Sequence, residues 1–162
     1  LLRSGVAPDE LADVLAREDD QGMRDPATYE RFADGVRESK RALLELLIGL
    51  WEEWKPDAVL QPSMHDIHQD HHVIAAEGLR AFKRTTILGY EIPWNNFDFS
   101  YGAYLALERR HVERKVAAVG RYASQQHRRY ADEDYIWNLA RVHGTNVNRE
   151  YAEVFEVYRL VA

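Results

Sequence analysis

The residues best suited to chemistry lie in one short segment, where four histidines and two aspartates occupy positions 65–72. In a protein without cysteine, zinc is held by imidazole and carboxylate, and a catalytic zinc site uses three protein ligands plus a position for water. His68 and His71 are three residues apart at the start of a predicted helix, so they share one face. The spacing predicts one histidine that binds a divalent metal, one that transfers protons, and Asp70 as a carboxylate that orients a ring. The alternative is that Asp66 and Asp70 only cap the following helix.

This histidine segment follows a short apolar strand, Ala58 to Gln61, and precedes a helix from about His71 to Lys83. Strand, polar loop and helix form one step of a doubly wound α/β sheet, in which ligands bind outside the carboxyl ends of the strands. The strand is too apolar for an exposed edge. The other predicted helices begin at Pro8, near Pro26, at Glu108 and at Asp132, the last closed by Gly144, and the other predicted strands are 85–92, 104–107 and 151–161. The sequence therefore predicts an α/β fold with a mostly parallel sheet flanked by helices, in a single domain over residues 1–162.

Composition excludes several classes of protein. The chain has 162 residues, no cysteine and a net charge of -6, so disulfide frameworks and thiolate chemistry are excluded. The acidic balance without a dense basic run argues against nucleic acid as a partner. The longest apolar stretch, Ala42 to Trp51, is too short to span a bilayer, and nothing at the start of the chain signals secretion. We therefore expect a cytoplasmic protein without a membrane helix, and homo-oligomerisation stays open.

The strand and histidine segment, Pro56 to Ser63 followed by His65 to His71, resemble the second signature of the PIG-L/LmbE family of metal-dependent N-deacetylases. That signature has the order strand, loop, His-x-Asp-His, helix, and the resemblance extends over residues 26–162 through segments 88–96 and 151–156. It implies a Rossmann-like fold and a zinc ion that activates water to remove an acetyl group from an N-acetylated amino sugar or glycoconjugate. It further implies that His71 is the third metal ligand and that His68 stabilises the oxyanion or protonates the leaving amine. Asp70 is implied to orient a histidine.

The first signature of that family, an Ala-His-Pro-Asp-Asp-Glu type segment, is not found in this chain. The nearest string, Ala7-Pro8-Asp9-Glu10, lacks the histidine and is better explained as a helix start. The chain thus offers one of three metal ligands, and we expect it to be the carboxyl-terminal portion of a longer protein, inactive as a deacetylase by itself.

Other residues extend the predicted site. Trp94, Asn95 and Asn96 follow a predicted strand, and they suit a sugar because tryptophan offers an apolar face and asparagine offers both donor and acceptor. The alternative is a buried tryptophan beside a turn. Arg141, His143 and Arg149 are interpreted as a solvated helix end, and the alternative is that they reach a phosphate or a carboxylate.

Two further functions stay open. One is a degenerate or accessory domain that binds sugar or partner subunits without catalysis, which the absent ligands favour. The other is a metal phosphohydrolase of the all-helical type with a His-Asp doublet, suggested by His65-Asp66, although the preceding strand argues against it.

Overall fold

The computed structural model describes residues 26–123 and 127–161. The elements in chain order are α1 (Pro26–Trp54), β1 (Ala58–Pro62), α2 (Gln69–Ala81), β2 (Thr86–Tyr90), β3 (Ala103–Leu107), α3 (Arg109–Val119), a short 3-10 helix (Arg129–Ala131), α4 (Glu133–Asn146) and β4 (Tyr151–Arg159). The helix predicted to begin at Pro8 lies outside the described residues. The predicted elements from Pro26 onward are confirmed, and α3 is shorter than predicted because it ends at Gly120.

The chain divides into two compact units between Lys55 and Pro56. Helix α1 belongs to the first unit, and its last turn is closed by a hydrogen bond from the Lys55 backbone N–H to the Trp51 carbonyl, at 2.9 Å. Lys55 has a φ of 44°, in the left-handed region. A residue before proline is disfavoured in the helical region, so the Lys55-Pro56 pair ends the helix. Within the described ranges, none of the helices has the length and apolarity needed to cross a membrane.

The second unit is built on a mixed sheet with the order β1-β2-β4-β3. Strands β1 and β2 are parallel, with Ala58 opposite Thr86 and Pro62 opposite Tyr90, whereas β4 is antiparallel to both β2 and β3. The α/β class is confirmed, but among the described strands one pairing of three is parallel. Strand β4 follows α4 after a short turn and runs antiparallel to both of its neighbours. It lies between β2 and β3, whereas the antiparallel strand of a mixed doubly wound sheet commonly lies at an edge.

Strand β1 lies at one edge of the described sheet, and Leu60 is 59% exposed. The prediction that this apolar strand is not an exposed edge is therefore wrong for the part of the chain that the structure describes. The apolar run predicts a neighbour on each side, and the described residues supply only β2.

Close packing fixes α2 against β1, immediately after the histidine segment. Gln61 is buried and its Nε2 donates to the Ala75 carbonyl of α2 at 3.1 Å. A Cβ atom on Gly78 would lie 2.3 Å from Gln61 Oε1, so this position of the helix accommodates glycine alone without rearrangement. The start of α2, which carries the histidines, is thereby held at the end of β1.

The core of the second unit includes Val112 of α3, Ile136 and Ala140 of α4, and Tyr151 of β4. Helix α4 begins at the predicted cap, where the Asp132 side chain accepts the Tyr135 backbone N–H. Gly144 does not close the helix as predicted, because α4 continues to Asn146. Gly144 is instead needed for close approach, since a Cβ atom there would lie 2.6 Å from the Arg149 carbonyl oxygen.

Candidate active site at the ends of the parallel strands

Two loops meet at the carboxyl ends of β1 and β2. The histidine segment follows β1, and the turn 94–96 follows β2; because the two strands are parallel, both loops lie at the same edge of the sheet. The Ile67 backbone N–H donates to the Asn95 carbonyl at 3.2 Å, and Asp66 forms an isolated antiparallel bridge with Asn96. The two predicted groups of site residues are therefore brought together.

The residue that organises this edge is Asp66, whose side chain is fully buried. Its Oδ1 accepts the His68 backbone N–H at 2.7 Å, and its Oδ2 contacts His71 Nδ1 at 2.8 Å. Asn95 Nδ2 donates to the same Oδ2 at 3.4 Å. Burial, followed by the negative charge of Asp66, raises the pKa of Tyr90. The Asp66 carboxylate thus holds the histidine segment against the turn 94–96 that follows β2.

The Asp66 contact determines the tautomer of His71. A carboxylate only accepts hydrogen bonds when ionised, so Nδ1 of His71 carries the hydrogen and the neutral ring keeps its lone pair on Nε2. The side chain is 32% exposed, so the ring is partly open to solvent. A histidine that donates to a carboxylate through one nitrogen and presents the other is the arrangement of metal-ligating histidines.

His68 has the opposite tautomer. It caps α2, and its Nδ1 accepts the Asp70 backbone N–H at 3.3 Å, so the hydrogen of the neutral ring lies on Nε2. The His68 and His71 ring centroids are 4.5 Å apart with an interplanar angle of 31°. The two neighbouring rings therefore differ in what Nε2 offers, a hydrogen-bond donor on His68 and a lone pair on His71.

Asp70 is exposed, and its described hydrogen bond is the one from its backbone to His68. The carboxylate that contacts the His71 ring is that of Asp66, which our sequence reasoning treated as a cap. Its signal in the sequence is an aspartate two residues before His68, the spacing at which an aspartate side chain accepts a backbone N–H. The role of Asp70 in orienting a histidine stays a prediction.

A second buried carboxylate, Glu156 of β4, anchors the start of the histidine segment. It accepts the Ser63 hydroxyl at 2.6 Å, the Ser100 backbone N–H at 3.0 Å and the Tyr158 hydroxyl, and it contacts His65 Nδ1 at 2.9 Å. Burial alone would raise the pKa of Glu156, but these hydrogen bonds outweigh it and lower the pKa. Glu156 was missed as a functional residue because nothing local in β4 shows that it reaches a segment more than ninety residues earlier.

The remaining predicted positions divide between surface and framework. Trp94 is 65% exposed rather than buried, so its ring is available to a ligand. The Asn96 side chain accepts the Ile92 backbone N–H at 2.8 Å and so stabilises the turn. His72 contacts the Met64 carbonyl through Nδ1 at 3.3 Å. The interpretation of His143 as a solvated residue is wrong, because it is 3% exposed in α4.

The described residues include one side chain suited to be a ligand of a catalytic zinc site, but they do not include a complete set of ligands. His71 has the free nitrogen and the orienting carboxylate that such a ligand needs. Within residues 26–123 and 127–161, however, no group of three histidine, cysteine, aspartate or glutamate side chains is placed to hold a metal ion. The described residues therefore do not assemble a metal centre by themselves.

Comparison with known proteins divides the chain as the structure does. A family model described as the C-methyltransferase C-terminal domain matches residues 3–56, one third of the chain. This match ends where the second unit begins, and over residues 26–56 it does not support the deacetylase resemblance. No curated protein matches the chain.

A solved structure resembles the chain, that of the zinc-inhibited form of teicoplanin deacetylase Orf2. The TM-score is 0.56 and the sequence identity is 20%, over 73% of this chain and 52% of that one. The chain thus spans about half the length of the structure that it matches. This likeness establishes the fold: a mixed α/β unit of the kind found in that deacetylase, which excludes the all-helical phosphohydrolase fold for the described sheet.

Proposed function

We propose that the full-length protein is a metal-dependent N-deacetylase that removes an acetyl group from an N-acetylated amino sugar or glycoconjugate. The observation that carries this proposal is the His68–His71 pair at the carboxyl ends of parallel strands, where Asp66 binds the His68 backbone N–H and His71 Nδ1 while His68 Nδ1 accepts the Asp70 backbone N–H. The fold of teicoplanin deacetylase and the His-x-Asp-His spacing of residues 68–71 support it.

In this proposal His71 is a metal ligand through Nε2, because Asp66 holds its Nδ1 hydrogen. The other two ligands come from outside the described residues. A divalent metal such as zinc, when bound, supplies the Lewis acid that activates water toward an amide carbonyl. Asp66 contributes by keeping the His71 ring in one orientation and by increasing its basicity.

His68 provides the hydrogen-bond donor that amide hydrolysis requires. Its Nε2–H is suited to stabilise the oxyanion and then to protonate the leaving amine, which is a poor leaving group unless protonated. The exposed Trp94 ring supplies an apolar face for a sugar, and Asn95 lies beside the histidine pair at 3.5 Å from His71 Nδ1. We propose both as substrate-binding residues of a cytoplasmic enzyme, with Asn96 holding the turn that presents them.

The alternative is a deacetylase-like unit without catalysis. It is favoured by the incomplete ligand set among the described residues. Metal analysis separates the two, because the non-catalytic unit binds no stoichiometric zinc whereas the enzyme binds about one equivalent.

The testing experiment compares three forms of the full-length protein: wild type, His71→Ala and His68→Ala. We expect about one zinc per wild-type chain and none in His71→Ala. We expect His68→Ala to keep its metal and to lose roughly 10²- to 10⁴-fold in turnover of an N-acetylglucosamine conjugate, the usual contribution of a general acid. A His71→Ala variant with unchanged metal content and activity refutes the assignment.

A further inference from the structure

The second unit contains a cavity of about 330 Å³ that the histidine site does not use. Its walls are formed by apolar side chains of β3, α3, α4 and β4, among them Leu107, Val112, Leu139 and Val154. Ligand pockets measure roughly 300 to 1,000 Å³, so this one suits a small ring compound.

Two buried polar atoms without a hydrogen-bond partner lie at one part of this cavity. Glu91 and His143 both line it, with Glu91 Oε2 and His143 Nε2 3.3 Å apart. The distance is that of an ion pair, yet the atoms are not aligned for a hydrogen bond, and in the described structure both are buried without a hydrogen-bond partner. Buried polar atoms left unsatisfied are costly, so a ligand group that bonds to both gains affinity by relieving that cost.

Aromatic side chains lie beside His143 and along the cavity wall. The Tyr101 ring meets the His143 ring edge to face, with centroids 5.7 Å apart, and Tyr122, Tyr130 and Tyr135 line the cavity. Burial, followed by the charge of Glu91, raises the pKa of Tyr135. Its phenol therefore stays neutral and offers an uncharged aromatic wall for stacking.

We propose that this cavity is a binding site for a small phenol or aromatic alcohol, whose ring packs among the tyrosines and aliphatic side chains and whose hydroxyl bridges Glu91 and His143. A hydroxyl is suited to both atoms, because it donates to the Glu91 carboxylate and accepts from the His143 N–H. The contact requires the Glu91 side chain to turn toward the cavity that it lines. An apolar ring without a hydroxyl leaves both atoms unsatisfied, and an ammonium group offers no acceptor.

The site is close in the chain to the proposed catalytic edge, but it does not depend on deacetylation. Glu91 directly follows β2 and precedes Asn95 by four residues. The side chains that form the cavity belong to residues 90–155, and binding there needs neither a metal nor an acetylated substrate. Failure of the proposed function would leave this site unaffected, and the reverse also holds.

The test uses the full 162-residue chain, labelled with ¹⁵N and titrated with p-cresol, toluene and benzylamine. We expect p-cresol to shift the amide signals of α4 and of residues 90–93, with a dissociation constant of about 0.1 to 1 mM, typical of so small a ligand. Toluene should bind at least about tenfold more weakly, since it lacks the hydrogen bond to a charged group. Toluene within threefold of p-cresol, tighter binding of benzylamine, or shifts confined to other regions would each overturn the proposal.

A variant adds a second, independent comparison. Glu91→Gln keeps the shape of the side chain and removes its charge, so p-cresol affinity should fall about three- to tenfold while toluene affinity stays the same. Equal p-cresol binding by this variant and the wild type contradicts the assigned role of Glu91. The comparison of p-cresol with toluene needs no variant, so it remains decisive if Glu91→Gln fails to fold.

Discussion

The Asp66 carboxylate is the feature whose removal has the most specific consequence. In Asp66→Asn, the amide can still accept the His68 backbone N–H, but its NH₂ group then faces His71 Nδ1. Two donors cannot hydrogen-bond to each other, so the His71 ring must move its hydrogen to Nε2. We therefore expect this substitution to reverse the tautomer of His71 and to remove the lone pair that the proposal assigns to the metal.

The expected loss of stability follows from the bonds that change character. The structure gives Asp66 two short bonds, at 2.7 and 2.8 Å, in a fully buried position. Hydrogen bonds to a charged group contribute about 1.5 to 3 kcal/mol, against about 0.5 to 1.5 kcal/mol for neutral ones. Replacing two hydrogen bonds to a charged carboxylate by two neutral hydrogen bonds should lower the free energy of unfolding by about 2 kcal/mol.

The assay is ¹⁵N NMR of the imidazole nitrogens in alkaline buffer, where histidine rings are neutral, combined with urea unfolding. The matched control is Asp70→Asn, which makes the same chemical change on an exposed carboxylate in the first turn of α2. It should leave the His71 tautomer unchanged and cost about 0.5 kcal/mol, mainly from the lost charge at the helix start.

This comparison also separates the two aspartates as orienting residues. If Asp70→Asn reverses the tautomer and Asp66→Asn does not, the carboxylate implied by the family resemblance orients the ring, and our reasoning from the structure is refuted. A wild-type His71 with its hydrogen already on Nε2 would refute it equally.

Three further predictions concern the framework of the second unit and the sheet edge proposed as its active site. Gly144→Ala should destabilise the protein by about 1 to 3 kcal/mol in urea unfolding, because the added Cβ would meet backbone oxygen atoms. The control Gly49→Ala should be neutral or stabilising, because a Cβ added there has no neighbouring atom within 4 Å. Because the pKa of Glu156 is lowered in the folded protein, its contribution to stability is present above its ordinary pKa of 4.5 and is lost as the pH falls through the folded pKa. Acid unfolding of Glu156→Gln should lack this component, and an acid unfolding profile equal to that of the wild type would contradict the prediction. Asn95→Ala should raise KM for an N-acetyl sugar conjugate more than it lowers kcat, because Asn95 is proposed to bind substrate. Steady-state kinetics measures both constants, and an equal effect on the two would argue against that role.

Local patterns of the sequence were sufficient for the order of the elements and for the place of the histidine segment in the fold. The Lys55-Pro56 break predicted the end of α1, the Asp132 cap predicted the start of α4, and the strand before the histidines placed them at the end of β1. The parallel pairing with β2 then brought Asn95 to the same edge, as the prediction required.

The parts that sequence reasoning missed depend on contacts between distant residues. Glu156 contacts His65 and Ser63 from β4, which pairs with β2, and His143 is buried on α4, the helix that packs against β4. Gly144 has a common helix-ending residue type, but its real role is set by the close approach of Arg149 in the following turn. Sequence periodicity contains no information on such contacts, so the carboxylates that support the histidines are identified only from the three-dimensional structure.

The central claim is that His71, oriented by Asp66, binds the metal of a deacetylase, and zinc titration of the full-length protein tests it most directly. The measurement is the zinc stoichiometry and affinity of the wild type, Asp66→Asn and His71→Ala, each confirmed as folded by circular dichroism. We predict about one zinc in the wild type, binding about 10- to 100-fold weaker in Asp66→Asn, as is usual for loss of an orienting partner, and none in His71→Ala. Equal zinc binding by all three proteins would contradict the account.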